Sequence, residues 1–350
     1  MAVFNGENTR TAVIPESAYG TNPATGAQEL FVDSYEIGYD GGFTYNQPIK
    51  DTSPSYLTLG NEATTWGMTH KLFKSNLGFH ALLNRLFTSR STTGSGDPYT
   101  HIYTQDYGTA PGTFTFEVVP GGAGSSGLAM QVKGCVPTSM TLTAGQGEMP
   151  MVEWSGIGRE FTRDTGPAAY TGSVDTAIFV PGDLTSETIS GGTTSSGLKL
   201  TAGGVDYGVK PVSLEVTYDA GIDESAYTLD SRYRIDPQRG GPLSITGTLD
   251  FFMEQGTQAA DDVIALIRTG TAFTVRYWFS TGTPASPGYK SFELLMGYNA
   301  PNVIFDAEAA AVSVEGPGAV TISAPFQMLN VESRTRLTIN NDKTSANVNI

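Results

Sequence analysis

Residues 62–87 combine two patterns of hydrophobic and polar positions. Trp66, Met68 and His70 alternate with polar residues in the first part, which predicts a half-buried strand. In the second part apolar side chains recur at helical spacing, and Ser75 is the expected N-cap. We therefore expect a strand that runs directly into a helix. The apolar stripe of that helix consists of Phe79, Leu82, Leu83, Leu86 and Phe87.

The same strand–helix pattern recurs at residues 242–268, and the glycines Gly67 and Gly247 stand near the middle of the two strands. Aligning these glycines superposes the two segments. The predicted strands before and after each segment also follow the same order. Two copies at this spacing indicate two similar domains rather than a solenoid, which needs more and shorter repeats. The second pattern rests on Leu243, Ile245, Leu249 and Phe251 in the strand and on Ala260, Val263, Ile264 and Ile267 in the helix.

The remaining sequence divides around these two segments. Polar, turn-rich residues open the chain and close it, and a tract rich in Gly, Ser and Thr lies between the two halves. The predicted organisation is an N-terminal arm at 1–27, a first domain at 28–161, a linker or insertion at 162–206, a second domain at 207–330 and a C-terminal tail at 331–350.

A long connection precedes each strand–helix segment, at residues 47–61 and 220–241. Both connections are longer than ordinary hairpin loops, and long loops in compact domains usually carry function. The second is the most charged part of its half. We expect both connections to make contacts with other molecules.

Composition narrows the classes of function. The chain has 350 residues, a formal net charge of −15 and a pI near 4.5. This charge argues against a protein that grips nucleic acid, because neutralising phosphates requires clustered Lys and Arg. Charged residues make up only 16 % of the chain, against about a quarter in ordinary soluble domains. A low fraction of charged residues, together with many glycines, suits short strands and a large uncharged surface buried in an assembly.

The sequence supplies no constellation for catalysis or metal binding. The three histidines, His70, His80 and His101, have no metal-ligand spacing, and Cys135 is the only cysteine. No apolar run approaches the ~20 residues of a membrane span, and the N-terminus does not resemble a signal peptide. We therefore expect a protein that is not an enzyme, needs no cofactor and does not contact a membrane.

A series of short motifs along most of the chain resembles the tail tube protein of a long-tailed, siphovirus-type bacteriophage, in the form whose tube fold is duplicated in one chain. No single motif is a strict signature, and the resemblance rests on their order. The motifs are Tyr19-Gly20-Thr21, W-G-M-T-H-K-L-F at 66–73, L-G-F-H-A-L-L at 77–83, Tyr99-Thr100-His101, Lys133-Gly134-Cys135, Ser139-Met140-Thr141-Leu142, the stretch 211–216 and Gly247-Thr248-Leu249.

The resemblance implies a mainly β fold with a minor α component, made of two tandem β-sandwich or barrel domains with one flanking helix each. It implies that three chains form a pseudo-hexameric ring, that rings stack into a tube, and that double-stranded DNA passes through without specific binding. An acidic channel would repel phosphate. The implied partners are other copies of the chain, a tape-measure protein and the tail terminator and tail-tip proteins. The implied location is the virion tail, assembled in the host cytoplasm.

Two groups of residues are candidates for these roles. The candidates for ring stacking come from the two long connections and are Lys50, Asp51, Tyr56, Asp230, Arg232, Tyr233, Arg234 and Arg239. The candidates for the sheet that lines the channel come from the two duplicated strands and are Thr64, Trp66, Met68, His70, Ile245 and Leu249.

Two other functions fit a β-rich chain without catalytic motifs. One is another virion protein, such as a decoration or baseplate component. The other is a carbohydrate-binding protein, which would need Trp66, Trp154 and Trp278 on one exposed face.

Overall fold

A computed structural model describes most of the chain. The described residues are 9–21, 23, 25–46, 56–105, 109, 111–121, 129–164, 168–170, 175–180, 188–189, 192–193, 197–207, 211–225, 227–228, 231–235, 238–252, 258–281, 288–308, 310–315, 319–331 and 334–344.

Strands dominate the described chain, and the mainly β class is confirmed. In the first half the elements are β1 (Arg10–Pro15), β2 (Thr25–Glu29), β3 (Ser34–Asp40), β4 (Phe43–Asn46), β5 (Tyr56–Leu59), β6 (Ala63–Lys71), α1 (Leu77–Leu86), β7 (Ser89–Thr93), β8 (Tyr99–Thr104), β9 (Phe114–Val119), β10 (Ala129–Gly145), β11 (Met151–Gly158), β12 (Glu160–Asp164) and β13 (Ala169–Tyr170). In the second half they are β14 (Thr188–Ile189), β15 (Gly192–Thr193), β16 (Leu198–Ala202), β17 (Val205–Tyr207), β18 (Pro211–Asp219), β19 (Ser244–Phe252), α2 (Gln258–Thr269), β20 (Thr274–Thr281), β21 (Lys290–Met296), β22 (Val303–Phe305), β23 (Ala311–Glu315), β24 (Ala319–Met328) and β25 (Thr335–Asn341).

One continuous run of antiparallel strands contains both halves of the chain. Its order is β3-β6-β11-β10-β18-β19-β24-β23, and we call it the duplicated sheet. The first four strands form the first repeat and the last four form the second repeat. Each strand of the first repeat has an equivalent in the second, in the same order: β3 and β18, β6 and β19, β11 and β24, β10 and β23. The repeats are therefore joined head to tail.

The register of side chains fixes which residues are equivalent. Trp66 lies opposite Gly156 across β6 and β11, whereas Gly247 lies opposite Phe326 across β19 and β24. A Cβ added at Gly156 would lie 2.5 Å from the Trp66 ring, and one added at Gly247 would lie 2.5 Å from the Phe326 ring. Each repeat thus pairs one aromatic ring with one glycine. In the first repeat the ring is on β6 and the glycine on β11. In the second repeat the glycine is on β19, the equivalent of β6, and the ring is on β24.

This register corrects the alignment expected from the sequence. Gly67 does not correspond to Gly247, because Gly67 points to the other face of the sheet, where an added Cβ would meet only the Trp154 carbonyl oxygen, at 3.5 Å. The residue equivalent to Gly247 is Trp66, one position earlier. The matching strand order agrees with the duplication expected from the sequence, which stays a prediction, and the equivalent positions differ by one residue from an alignment of the two glycines.

The turns that follow β3 and β18 support the same equivalence. Asp40 accepts a hydrogen bond from the Gly42 amide at 2.9 Å, and Asp219 accepts one from the Gly221 amide at 2.8 Å. Both glycines have φ of +62°, a conformation that glycine adopts without steric cost. The two repeats therefore share backbone geometry even where their side chains differ.

A second sheet covers the core face of the duplicated sheet, and its order is β17-β16-β20-β21-β25-β8-β7. Helix α1 contributes to the core between the sheets through the predicted stripe, which is buried as expected. Its N-cap is Asn76, which accepts from the Phe79 amide at 3.0 Å, whereas Ser75 donates to Asp342 instead. The sandwich component of the predicted fold is therefore present, and neither sheet closes into a barrel within the described chain.

The described parts of residues 1–27 and 331–350, which were expected to be an arm and a tail, contribute strands to the fold. Strand β1 pairs with β9, and its Ala12, Val13 and Ile14 are completely buried. Strand β25 lies between β21 of the second half and β8 of the first half, with Leu337 buried. Within the region expected as a linker or insertion, β16 pairs with β20. Strands of both halves share both sheets, so the division into domains at 28–161 and 207–330 stays a prediction.

Glycine-to-alanine substitutions test the register. Gly156→Ala and Gly247→Ala should each lower the free energy of unfolding by about 1–3 kcal/mol, because the new methyl group collides with an aromatic ring. Gly67→Ala is the matched control in the same sheet and should be nearly neutral. Thermal denaturation of the three variants checks this, and equal losses in all three would contradict the assigned faces.

Candidate assembly interface

The two repeats meet where β10 pairs with β18, which we call the joint. Seven residue pairs form its antiparallel ladder, from Ser139 opposite Asp219 to Gly145 opposite Ser213. On the core face, side chains from both strands cover each other, and all of them are buried except Ala144, which is half-buried. The opposite pairs on this face are Met140 with Tyr218, Leu142 with Val216 and Ala144 with Leu214.

The outer strands of the duplicated sheet are the equivalents of the two strands in the joint. Strand β3 corresponds to β18, and β23 corresponds to β10. Within the described residues no strand pairs with the second edge of either one. An open edge exposes backbone amide and carbonyl groups that can pair with another chain.

Side chains at these edges are exposed although they point to the core face. Tyr35 and Tyr39 are 39 % and 48 % exposed, whereas their equivalents Leu214 and Tyr218 are buried in the joint. Val312 is 66 % exposed and lies opposite the buried Ile322. These apolar side chains lack the neighbouring strand that covers their equivalents.

The other face of the duplicated sheet is polar. Among the described side chains on this face, hydroxyl groups predominate and carboxylates are interspersed. Lys71 is the one basic residue among them. Thr141 and Thr217 are hydrogen-bonded across the joint at 3.0 Å. The carboxylates of this face would repel a polyanion, and its hydroxyl groups offer no positive charge that would bind one. The carboxylates are Glu36, Asp40, Glu153, Glu215, Asp219 and Asp250.

The residues predicted for the channel lining point away from this polar face. Thr64, Trp66, Met68, His70, Ile245 and Leu249 are all buried on the core side. That these two strands line a channel stays a prediction, and their alternate residues, such as Thr65 and Thr69, lie on the face that points away from the core. The sequence alone did not decide between the faces, because either set could point outward in an assembly.

His70 illustrates how completely this face is buried. Its Nε2 accepts a hydrogen bond from the Trp154 indole at 2.9 Å, and its Nδ1 donates to the Lys71 carbonyl at 2.8 Å. Burial lowers the pKa of His70 to about 4, because the charged imidazolium would lose its solvation.

The structure describes some of the candidates for ring stacking and not others. Lys50, Asp51 and Asp230 lie outside the described residues, as does the side chain of Tyr56. The described part of 220–241 forms the second hairpin, with Ile222 bridged to Arg239 and Tyr227 to Arg234. The pair β4 and β5 forms the first hairpin, at the equivalent place in the first repeat.

The second hairpin packs against the first repeat of the same chain. The buried Arg234 donates from Nη1 to the carbonyl oxygens of Thr64 at 2.8 Å and Gly158 at 3.3 Å. Arg232 lies 3.5 Å from Glu62 and donates to the Gly41 carbonyl at 2.9 Å. Their contacts give these two arginines an intrachain role in place of the expected ring stacking.

Arg159 extends this contact with its guanidinium group near two tyrosines. Its Cζ atom is 5.3 Å from the ring centroid of Tyr19 and 5.7 Å from that of Tyr233. Tyr233 therefore also contacts its own chain. Arg239 approaches the side chain of Gln105. The second hairpin thus contacts the first repeat, and Arg159 lies near both Tyr233 of the hairpin and Tyr19 of the N-terminal segment.

A scan against protein-family models matches residues 6–328 to the family described as phage tail tube protein. The match covers nearly the whole chain, including both repeats and the joint. The chain belongs to the phage tail tube protein family. No curated protein matches it closely enough to count as a relative.

Membership in the tail tube family indicates a structural component of the virion tail that assembles with itself. Among the described residues no group of three or more His, Cys, Asp or Glu is arranged to hold a metal ion. No helix in the described part is long and apolar enough to cross a membrane.

Strand β23, an edge strand, was not predicted from the sequence. The signal was present, because A-V-S-V-E at 311–315 alternates apolar and polar residues. The alternation of Tyr35, Ile37 and Tyr39 likewise predicted a strand. It could not reveal that the strand has a free edge, because pairing depends on residues far apart in the chain.

The neutral state of His70 is testable by titration. The histidine Cε1–H resonance should titrate with a midpoint near pH 4 in the folded protein and near 6.5 in urea. The folded pKa is the lower one, so stability is full above pH 6.5 and falls as pH drops from 6.5 toward 4, by roughly 3 kcal/mol in total. A midpoint near 6.5 in the folded protein would contradict the core position.

Replacing Arg234 tests the intrachain role of the second hairpin. Arg234→Met should cost about 1.5–3 kcal/mol of stability, because two buried carbonyl oxygens lose a charged donor. It should also make residues 220–241 more sensitive to limited proteolysis. Arg268→Met at the exposed end of α2 is the control, and identical behaviour of the two variants would contradict this role.

Proposed function

We propose that this protein is the tail tube subunit of a siphovirus-type phage, and that three chains close a ring whose stacking forms the conduit for DNA ejection. The observation that supports this most directly is the head-to-tail repeat of the duplicated sheet. Each chain offers one free edge of each kind, β3 and β23, and these edges are equivalent to the two strands that already pair in the joint.

A heterologous contact between equivalent repeats generates a ring when the rotation closes. Each chain carries two repeats, so three chains supply six repeats and a pseudo-sixfold ring. If every contact between chains copies the joint, the ring contains one continuous sheet without an open edge. Ring closure thereby removes the aggregation hazard that two exposed edges create.

The joint predicts the register of the contact between chains. Leu142 lies opposite Val216, and their equivalents are Val312 and Ile37. We expect Val312 of one chain opposite Ile37 of the next, with the two strands antiparallel. Tyr35 and Tyr39 would then be covered as Leu214 and Tyr218 are covered within the chain. Burial of these side chains supplies the hydrophobic driving force for closure.

The polar face would line the channel in such a ring. The core face is occupied by the second sheet and α1, so only the hydroxyl and carboxylate face is free to surround a lumen. Threonine and serine offer no net positive charge to DNA, and the carboxylates repel its phosphates. Double-stranded DNA would pass without specific binding.

The remaining partners follow from this role. The tape-measure protein would occupy the lumen before DNA, and the terminator and tail-tip proteins would contact the two ends of the stacked rings. Lys50, Asp51 and Asp230 remain our candidates for contacts between rings, and assembly takes place in the host cytoplasm.

The alternative functions find little support in the contacts. Trp66 and Trp154 lie in the core on the face of His70, and Trp278 is buried beside Arg276. They form no exposed aromatic platform for a sugar. A decoration or baseplate component of the virion would not be expected to carry both edges of a repeating sheet.

Negative-stain electron microscopy and native mass spectrometry test the proposal together. We expect annular particles of three chains, and hollow filaments at high protein concentration. A protein that remains monomeric over the full concentration range, or a ring of six chains, would contradict it.

A single edge substitution tests the proposed joint between chains. Val312→Lys should leave the folded monomer intact and abolish rings, because an inward-pointing lysine at a sheet edge opposes strand pairing. Val205→Lys is the matched control, since Val205 is also exposed, at 54 %, but lies on β17 of the second sheet. Rings from both variants would refute the edge assignment.

A further inference from the structure

The second hairpin makes a mainly charged contact with the first repeat. On the repeat, Glu62 and Arg159 supply the charged groups, and on the hairpin Arg232 and Arg234 do. The backbone takes part as well, since the Glu62 amide donates to the Arg232 carbonyl at 2.7 Å. This contact lies directly beside the joint, because the hairpin follows β18.

Leucines stand at the two equivalent positions of the second repeat. By the register of β6 with β19 and of β11 with β24, Glu62 corresponds to Leu243 and Arg159 corresponds to Leu329. Leu243 is buried, whereas Leu329 is 48 % exposed at the end of β24. Its backbone is held in place, because the Leu329 amide donates to the Asn302 carbonyl at 2.8 Å. The second repeat therefore presents a fixed leucine where the first repeat presents an arginine.

The two hairpin sequences differ in the same sense. Residues 222–239 contain seven charged residues, whereas residues 43–59 contain only Lys50 and Asp51. Both sides of the contact thus change together, from charged on the first repeat to apolar on the second. A surface leucine and a weakly charged hairpin are complementary, in the way that the charged pair is complementary within the chain.

We propose that Leu329 is the contact point for the first hairpin of a neighbouring copy of this chain. This inference rests on the proposed ring, and it adds a second contact to each junction between chains. If β3 of the neighbour pairs with β23, its β4–β5 hairpin lies over the second repeat as the second hairpin lies over the first. The neighbour's hairpin then covers Leu329.

The difference in chemistry gives the ring a means of discrimination. A second hairpin placed on Leu329 and Leu243 would bury Arg232 without its carboxylate partner Glu62, which is costly. Each hairpin therefore prefers its own repeat, and a junction between chains is not confused with the joint inside one chain.

Photo-crosslinking from position 329 tests the inference. Leu329 is replaced with benzoylphenylalanine in a mixture of unlabelled and ¹⁵N-labelled chains, and rings are verified by electron microscopy before irradiation. We expect crosslinked peptides that join position 329 of one chain to residues 43–59 of a chain with the other label.

The possible failures are distinguishable. Rings whose crosslinks avoid residues 43–59 would overturn this contact and leave the proposed function intact. A complete absence of rings from the unsubstituted protein would overturn both.

A charge substitution provides an independent measurement. Leu329→Arg should raise the protein concentration at which half the chains are in rings by about tenfold, because the apolar contact is lost and a cation is buried in its place. Val205→Arg on the second sheet is the control for an exposed aliphatic residue. Equal assembly of the two variants, with unchanged melting temperatures, would overturn the contact at Leu329.

Discussion

The antiparallel ladder between β10 and β18 is the interaction on which the rest of this structure depends. It joins two copies of a four-strand unit in one sheet and sets their register. Because the joint connects the last strand of one repeat to the first strand of the next, the two outer strands are the equivalents of the pair that forms the joint. In the proposed ring, the hydrogen-bond pattern of the joint would be repeated between chains.

The repeats preserve backbone geometry and exchange side-chain volume. The turns at Asp40 and Asp219 have the same hydrogen bond and the same glycine conformation. The cores differ, since the large ring is Trp66 on β6 in one repeat and Phe326 on β24 in the other. A close-packed interior tolerates such an exchange when the summed volume is kept. The tail tube fold can therefore diverge inside while its joining edges remain matched.

Local patterns in the sequence predicted much of this fold. The strand–helix segments, the long pair β10 and β11 and the buried stripe of α1 follow from alternation and helical spacing, which depend on neighbouring residues. The phase of the repeat was wrong because a glycine has no side chain to indicate a face, whereas aligning Met68 with Leu249 gives the correct phase. Strands β1 and β25 were missed because short polar segments become strands only when distant strands offer them hydrogen bonds.

The free edges of the duplicated sheet were harder to predict from the sequence. Tyr35, Tyr39 and Val312 look like ordinary core residues in the sequence, and only the sheet order reveals that the strands beside them lack a neighbour. The arginines of the second hairpin were expected to bind another ring because they are charged and lie in a long connection. Their carbonyl and carboxylate partners are 76 to 191 residues away in the chain, so the intrachain contact could not be anticipated.

A cryo-electron microscopy map of the assembled protein would test the central claim most directly, at a resolution that separates neighbouring strands. The account predicts six repeats from three chains around one lumen, with Val312 of each chain opposite Ile37 of the next and the hydroxyl face toward the channel. A ring in which β3 and β23 do not pair, or in which the core face lines the lumen, would contradict it.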